Sequence, residues 1–173
     1  MKRAYIPNSF TFINLSLGIC SILSTMEGNY KLASIFILLA GLVDRYDGRI
    51  ARLLSASSEL GKELDSLADL VSFGVAPAIL SFLLFNFKDV GPTSLIGLTI
   101  LLIFPICGAF RLARYNVSNF DGVFAGVPIT IAGCFMALFI LLTINTNLSA
   151  VVPMLLMIVF SYLMVSNFKL KKF

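Results

Sequence analysis

Apolar runs of membrane-spanning length alternate with short polar stretches along this chain. A helix needs about 20 predominantly apolar residues to cross the hydrocarbon core of a bilayer. The pattern therefore predicts six transmembrane helices and leaves no room for a separate soluble domain. Their expected bounds are 10–26, 31–54, 59–87, 93–110, 127–144 and 148–165.

The second and third predicted helices change character along their length. The second is apolar in its first half and charged in its second half, whereas the third begins polar and ends apolar. The sequence SASS between them predicts a turn, with Ser58 as the N-cap of the third helix. The polar halves of both helices are therefore expected at the same membrane surface. Pro77 predicts a kink in the apolar half of the third helix.

The composition is that of an integral membrane protein. Of the 173 residues, 58% are hydrophobic and 13% are charged, and the mean hydropathy is +0.96. Soluble domains carry roughly 25% charged residues. We therefore expect an all-α integral membrane protein in which residues 1–173 form a single domain. Histidine is absent, so general-base chemistry would fall to another group, and a carboxylate is the first choice.

Basic residues concentrate on one side of the predicted topology. With six helices, eleven lysines and arginines share the side that holds both termini, and two lie on the other side. Because cytoplasmic loops are rich in Lys and Arg, we expect a multi-pass protein of the cell membrane. Both termini and the polar halves of the second and third helices would then face the cytoplasm. The net charge of +4 does not indicate nucleic-acid binding, because the basic residues form no single patch.

Four aspartates lie in the polar halves of the second and third helices. Asp44 and Asp47 are spaced i, i+3, and Asp65 and Asp69 are spaced i, i+4, so each pair shares one helix face. Ionisable residues at membrane depth are costly and usually functional. Crowded carboxylates repel one another unless a cation lies between them, and Mg²⁺ is commonly bound by carboxylates together with substrate phosphates. The pattern therefore predicts a metal site; aspartates that only hold helices together are the structural alternative.

Small residues and an arginine accompany the aspartates. Gly48 lies four residues after Asp44, and Gly61 lies four residues before Asp65, on the same faces as the carboxylates. Small side chains allow another helix or a flat ligand to approach closely. Arg52 is close enough to the face of Asp44 to contribute a cation to the same pocket. A fixed cation beside bound metal is typical of a phosphate site.

The complete spacing resembles a known signature. It reads Asp44-x2-Asp47-Gly48-x2-Ala51-Arg52-x8-Gly61-x3-Asp65-x3-Asp69, and it is similar to the signature of the CDP-alcohol phosphatidyltransferases. A looser similarity, carried by residues 111–116 and by Gly126-Val127-Pro128, is to the phosphatidylserine synthase branch of that family.

The resemblance implies two divalent cations, Mg²⁺ or Mn²⁺. It implies that Asp44 and Asp65 would bind both cations, Asp47 the first and Asp69 the second, and that Asp69 would also take the proton from the acceptor hydroxyl. It further implies a homodimer, and the distribution of basic residues predicts an active site on the cytoplasmic side. The residues that would bind the CDP-linked lipid are Pro7, Asn8, Thr11, Gly48, Arg52 and Ser58. For Asn8, capping of the first helix is the alternative to nucleotide binding.

An acceptor site is expected at the end of the fourth predicted helix. Arg111, Arg114 and Asn116 would bind a lipid phosphate or a substrate carboxylate, and anchoring at the cytoplasmic surface is the alternative for the two arginines. The resemblance to the phosphatidylserine synthase branch suggests L-serine as the acceptor, with glycerol 3-phosphate or an inositol compound as alternatives. From a different class, an ion-coupled transporter would also place aspartates at membrane depth. Against it, the carboxylates occupy one end of two helices and leave no polar path through the other leaflet.

Overall fold

The computed structural model describes residues 5–53, 59–91, 94–117, 124–146, 148–166 and 169–170. Side chains are described for all of these except 5–8, 47–53, 124–125 and 169–170. The predicted turn at 55–58 therefore lies outside the described residues. The helices are α1 (Tyr5–Met26), α2 (Tyr30–Leu53), α3 (Glu59–Asp69), α4 (Ala76–Leu84), α5 (Leu95–Val117), α6 (Ile129–Thr143) and α7 (Val151–Val165).

A π-helical segment, Leu70–Val75, joins α3 to α4, so Glu59–Leu84 is one continuous helix of 26 residues. The N–H of Ala76 bonds the carbonyl of Val71, five residues back. Pro77 follows directly and has no N–H to offer the preceding turn. Where the sequence predicted a kink, the structure thus has a wider turn that begins immediately after Asp69. Such turns occur frequently at functional sites.

The helix predicted at 93–110 is longer than expected. In the structure α5 runs from Leu95 to Val117, so the predicted end of this helix at residue 110 is wrong. The polar side chains of this last part are accommodated by neighbouring helices. Arg111 is buried, the guanidinium of Arg114 bonds carbonyls at the end of α7, and the amide of Asn116 bonds side chains of α3. Tertiary contacts therefore extend a helix whose composition resembles a loop.

The surface of the helix bundle is that of a membrane protein. Among the described residues, three helices are long and apolar enough to cross a bilayer: Ser9–Met26, Glu59–Leu84 and Leu95–Val117. Helices α6 and α7 are also apolar but have only 15 residues each. Large apolar side chains such as Leu102 and Leu142 are 50% and 73% exposed, as expected for contact with lipid. The count of six spans and their orientation remain predictions.

The core lies where α1, α2, α5 and α6 surround the Glu59–Leu84 helix, and α7 packs outside them against α5 and α6. Helix α1 packs along α2, α5 packs along α7, and the π-helical segment contacts α1, α5 and α6. Gly133 of α6 allows close approach to this segment, because an added Cβ would lie 2.7 Å from Phe73 Cα. Two short strands, β1 (Phe124–Ala125) and β2 (Lys169–Leu170), pair antiparallel beyond α5 and α7. The Glu59–Leu84 helix is therefore held from several sides near Asp69.

Candidate metal centre

Three of the four predicted aspartates come together. Asp44 projects from α2, and Asp65 and Asp69 project from α3. One carboxylate oxygen from each lies within 4.8 Å of the corresponding oxygens of the other two. Asp44 and Asp65 are partly buried, and Asp69 is only 7% exposed. The i, i+4 spacing on α3 and the packing of α2 and α3 around α1 thus bring carboxylates that are 21 or more residues apart in sequence to one point.

The donor set fits a hard divalent cation. Three carboxylates within 4.8 Å repel one another, and burial removes the water that would otherwise screen the repulsion. Mg²⁺ and Mn²⁺ favour oxygen donors, and a cation held between the three groups would offset their charge. The fourth predicted ligand, Asp47, belongs to the last part of α2, one turn after Asp44, but its side chain lies outside the described residues.

Asn14 of α1 adds a neutral donor to this cluster. Its Nδ2 donates a hydrogen bond of 3.0 Å to Oδ1 of Asp69, and the asparagine is only 1% exposed. The sequence analysis missed this residue. A signal for it exists, because an asparagine inside an otherwise apolar predicted span is costly unless its amide finds partners.

A second contact fixes α1 against the turn that follows Asp69. The hydroxyl of Ser72 donates a hydrogen bond of 2.9 Å to the backbone carbonyl of Asn14. Gly18, one turn further along α1, makes room for this contact, because an added Cβ would lie 2.9 Å from Ser72 Cα. Side chain and backbone of Asn14 are thus both engaged by the helix that carries Asp65 and Asp69.

Among the predicted acceptor-site residues, Arg111 is the cation whose charge acts on Asp69 of the cluster. It lies on α5, is 7% exposed, and its charge interacts with that of Asp69. Its buried Nε has no hydrogen-bond partner among the described residues. A buried guanidinium with a spare N–H is suited to bind a carboxylate or a phosphate.

The other two predicted acceptor-site residues contact protein groups. The guanidinium of Arg114 donates to the carbonyls of Val165 and Ser166 at 3.0 and 3.5 Å, at the C-terminal end of α7. The amide of Asn116 donates to Glu63 and Ser66 of α3 at 3.1 and 3.0 Å. Arg111 therefore interacts with the carboxylate cluster, whereas the hydrogen bonds of Arg114 and Asn116 go to other groups of the protein. A contact of Arg114 or Asn116 with the acceptor stays a prediction.

The residues predicted to bind the CDP-linked lipid are only partly described. Thr11 is buried on α1, one turn before Asn14 and on the same side of the helix. Pro7 and Asn8 belong to the first turns of α1, and Gly48 and Arg52 belong to the end of α2, but their side chains lie outside the described residues. Ser58 lies outside them altogether.

Comparison with known proteins shows which family the chain belongs to. Residues 4–165 match the family model of the CDP-alcohol phosphatidyltransferases. The chain belongs to the CDP-alcohol phosphatidyltransferase family. The family suggested by the aspartate spacing is thereby confirmed, and Asp44, Asp65 and Asp69 are the aspartates of that spacing whose side chains the structure describes.

Several relatives within the family carry informative names. The chain is 39% identical over 171 residues to a CDP-diacylglycerol–serine O-phosphatidyltransferase of Bacillus subtilis, covering 98% of this chain and 91% of that protein. It is 37% identical over 131 residues to a protein of the same name from Mycobacterium leprae, covering 71% of this chain and 42% of the relative. An archaetidylserine synthase of Methanothermobacter thermautotrophicus is 38% identical over 166 residues, with 94% and 67% covered. The chain thus spans less than half of the mycobacterial relative and nearly all of the Bacillus one.

Proposed function

We propose that this phosphatidyltransferase moves a phosphatidyl group from CDP-diacylglycerol, or from an archaeal CDP-lipid, to L-serine. The products would be phosphatidylserine, or its archaeal counterpart, and CMP. The observation that carries the proposal is the convergence of Asp44, Asp65 and Asp69 in a chain of this family. The choice of serine is supported by the names of relatives at 37–39% identity.

The reaction is a substitution at phosphorus. The serine hydroxyl oxygen forms a bond to the phosphorus attached to diacylglycerol, and the bond from that phosphorus to the oxygen of CMP breaks. The hydroxyl proton passes to a carboxylate, and CMP leaves with the electron pair of the broken bond. Two divalent cations, Mg²⁺ or Mn²⁺, held by Asp44, Asp47, Asp65 and Asp69, would neutralise the pyrophosphate and stabilise the leaving phosphate.

Asp69 is the proposed general base. It is the most buried of the three described carboxylates and has a neutral hydrogen-bond donor in Asn14. The chain contains no histidine that could take the proton instead. Burial also keeps bulk water away from the reacting phosphorus, which favours transfer to serine over hydrolysis.

Arg111 is the proposed partner of the serine carboxylate. Its guanidinium is buried, has a spare Nε–H and interacts with Asp69. A carboxylate bound there by charge-assisted hydrogen bonds would place the serine hydroxyl on the side of the proposed base. A phosphate could bind the same group, which is the physical reason that glycerol 3-phosphate must be tested as an alternative acceptor.

The remaining assignments follow from the family. Pro7, Asn8, Thr11, Gly48, Arg52 and Ser58 are proposed to bind the CDP-linked lipid, whose tails would stay among the membrane lipids. Six spans with both termini and the site in the cytoplasm, and assembly as a homodimer, are part of the same proposal. An ion-coupled transporter has no support in a chain that belongs to a transferase family.

An acceptor panel tests the proposal. Purified protein would be given CDP-diacylglycerol, Mg²⁺ and either L-serine, glycerol 3-phosphate, an inositol compound or no acceptor, and CMP would be measured. We expect CMP release that depends on serine, with phosphatidylserine as the lipid product. Arg111→Lys should raise the KM for serine far more than the KM for the CDP-lipid. Faster release with glycerol 3-phosphate, or equal release without an acceptor, would contradict the assignment of serine.

A further inference from the structure

The hydrogen bond from Asn14 to Asp69 has a fixed polarity. An ionised carboxylate can only accept hydrogen bonds, so the Nδ2 end of the amide must face Asp69. The bond is 3.0 Å long, and its two residues are 1% and 7% exposed. Water therefore does not compete for it, and the contact holds one oxygen of Asp69 in a defined position relative to α1.

Asn14 is itself held firmly. The Ser72 hydroxyl donates to its backbone carbonyl at 2.9 Å, and Gly18 lets α1 lie directly against Ser72. Ser72 lies three residues after Asp69 in the π-helical segment. Two residues of one short stretch of the Glu59–Leu84 helix therefore engage Asn14: Ser72 holds its backbone carbonyl, and Asp69 accepts the hydrogen bond from its amide.

The other end of the amide has no partner. Oδ1 of Asn14 is buried and accepts no hydrogen bond within the described part of the chain. A buried acceptor without a partner is costly, because it has lost its hydrogen bonds to water and gained none from the protein. An apolar side chain would join α1 to α3 without this cost. The presence of the amide is explained if its hydrogen bond to Asp69 serves the reaction.

We propose that Asn14 is a positioning residue for Asp69 in the transfer reaction. By holding Oδ1 of Asp69, it leaves the second carboxylate oxygen free for the acceptor hydroxyl or for a cation. A neutral amide fixes the carboxylate without placing another positive charge beside it. The inference rests on the proposed function, because it takes Asp69 as the base.

A double-mutant cycle provides the test. Asn14→Leu, which keeps the branched shape of the side chain and removes the donor, would be made in wild-type protein and in Asp69→Asn protein. Single-turnover CMP formation at saturating serine and Mg²⁺ would be measured together with the KM for CDP-diacylglycerol. Loss of a group that orients a metal ligand or base typically costs about 10–100-fold, and we expect such a loss in rate with the KM little changed. In the Asp69→Asn background, Asn14→Leu should cause little further loss, because the two residues act as a unit.

Two further variants make the result unambiguous. Ser21→Ala is the matched control, because Ser21 lies seven residues after Asn14 on the same face of α1, is equally buried and has no partner for its hydroxyl among the described residues. It should turn over like the wild type. Ser72→Ala, which removes the bond that holds the Asn14 carbonyl, should give a smaller loss than Asn14→Leu, again absent in Asp69→Asn protein. It decides the question if Asn14→Leu does not fold.

The outcomes distinguish failure of the positioning role of Asn14 from failure of the proposed function. Normal rates for Asn14→Leu and Ser72→Ala, with a slow Asp69→Asn, would overturn the positioning role and leave the proposed function intact. The same loss from Asn14→Leu in both backgrounds would also overturn it, since Asn14 would then act independently of Asp69. A fast Asp69→Asn would remove the base assignment and the positioning role together.

Discussion

Gly18→Ala should slow transfer although residue 18 is not expected to contact substrate. In the structure an added Cβ would lie 2.9 Å from Ser72 Cα, whereas ordinary contacts begin at 3.4 Å. The added Cβ would also overlap the Ser72 hydroxyl, but because Ser72 Cα belongs to the backbone, a rotation of the serine side chain alone cannot relieve the clash. Helix α1 must therefore move away from the π-helical segment by roughly 0.5 Å at this point, and Asn14 moves with it.

The expected magnitude follows from the position of the displaced contact. A misplacement of about 1 Å at a reacting group can cost roughly 100-fold in rate, so half of that distance should cost on the order of 10-fold. Overpacking of this kind also destabilises by about 1–3 kcal/mol. Turnover would be measured as CMP released under saturating substrates, and stability as the midpoint of thermal unfolding in detergent.

Gly97→Ala is the matched control for this experiment. Its added Cβ would lie 2.8 Å from the backbone carbonyl carbon of Phe87, a similar clash outside the aspartate cluster. We expect a comparable loss of stability with turnover per folded protein unchanged. Equal turnover for Gly18→Ala, Gly97→Ala and wild type would refute the argument that the fit of α1 against Ser72 controls the geometry of Asp69.

Two other predictions concern the carboxylates and the topology. Asp69→Asn should lower the single-turnover rate by roughly 10²–10⁴-fold and retain most CDP-lipid binding. Asp44→Asn should instead weaken metal-dependent CDP-lipid binding. Near-normal turnover of Asp69→Asn at saturating metal would show that another group is the base. In protein without native cysteines, a membrane-impermeant thiol reagent applied to intact cells should label Asp89→Cys and not Glu59→Cys, because the distribution of basic residues predicts that the start of α3 faces the cytoplasm. Labelling of Glu59→Cys alone would show the opposite orientation.

Local sequence patterns were sufficient to predict the carboxylate cluster. The i, i+4 spacing of Asp65 and Asp69 requires a shared face on any helix, and the cost of charges at membrane depth requires them to share a cation or a partner. The structure accordingly brings both to Asp44. The helical architecture followed from the lengths of the apolar runs in the same way.

Features that depend on neighbouring helices were not predictable from local pattern. The polar residues after Phe110 resemble a loop, yet contacts with α3 and α7 keep them helical to Val117. The sequence indicated the π-helical turn only through Pro77, and its packing against Gly133 of α6, at the backbone of Phe73, is a contact between distant parts of the chain. Asn14 was an isolated polar residue in an apolar run until the packing of α1 placed its amide against Asp69.

The proposed transfer to serine requires divalent cations held by the aspartate cluster. The most direct measurement is the incorporation of labelled L-serine into lipid by purified protein with CDP-diacylglycerol, before chelation, after exhaustive EDTA treatment and after addition of excess Mg²⁺ or Mn²⁺. We expect EDTA to abolish the incorporation and either cation to restore it. Full incorporation after complete removal of divalent cations would contradict this requirement.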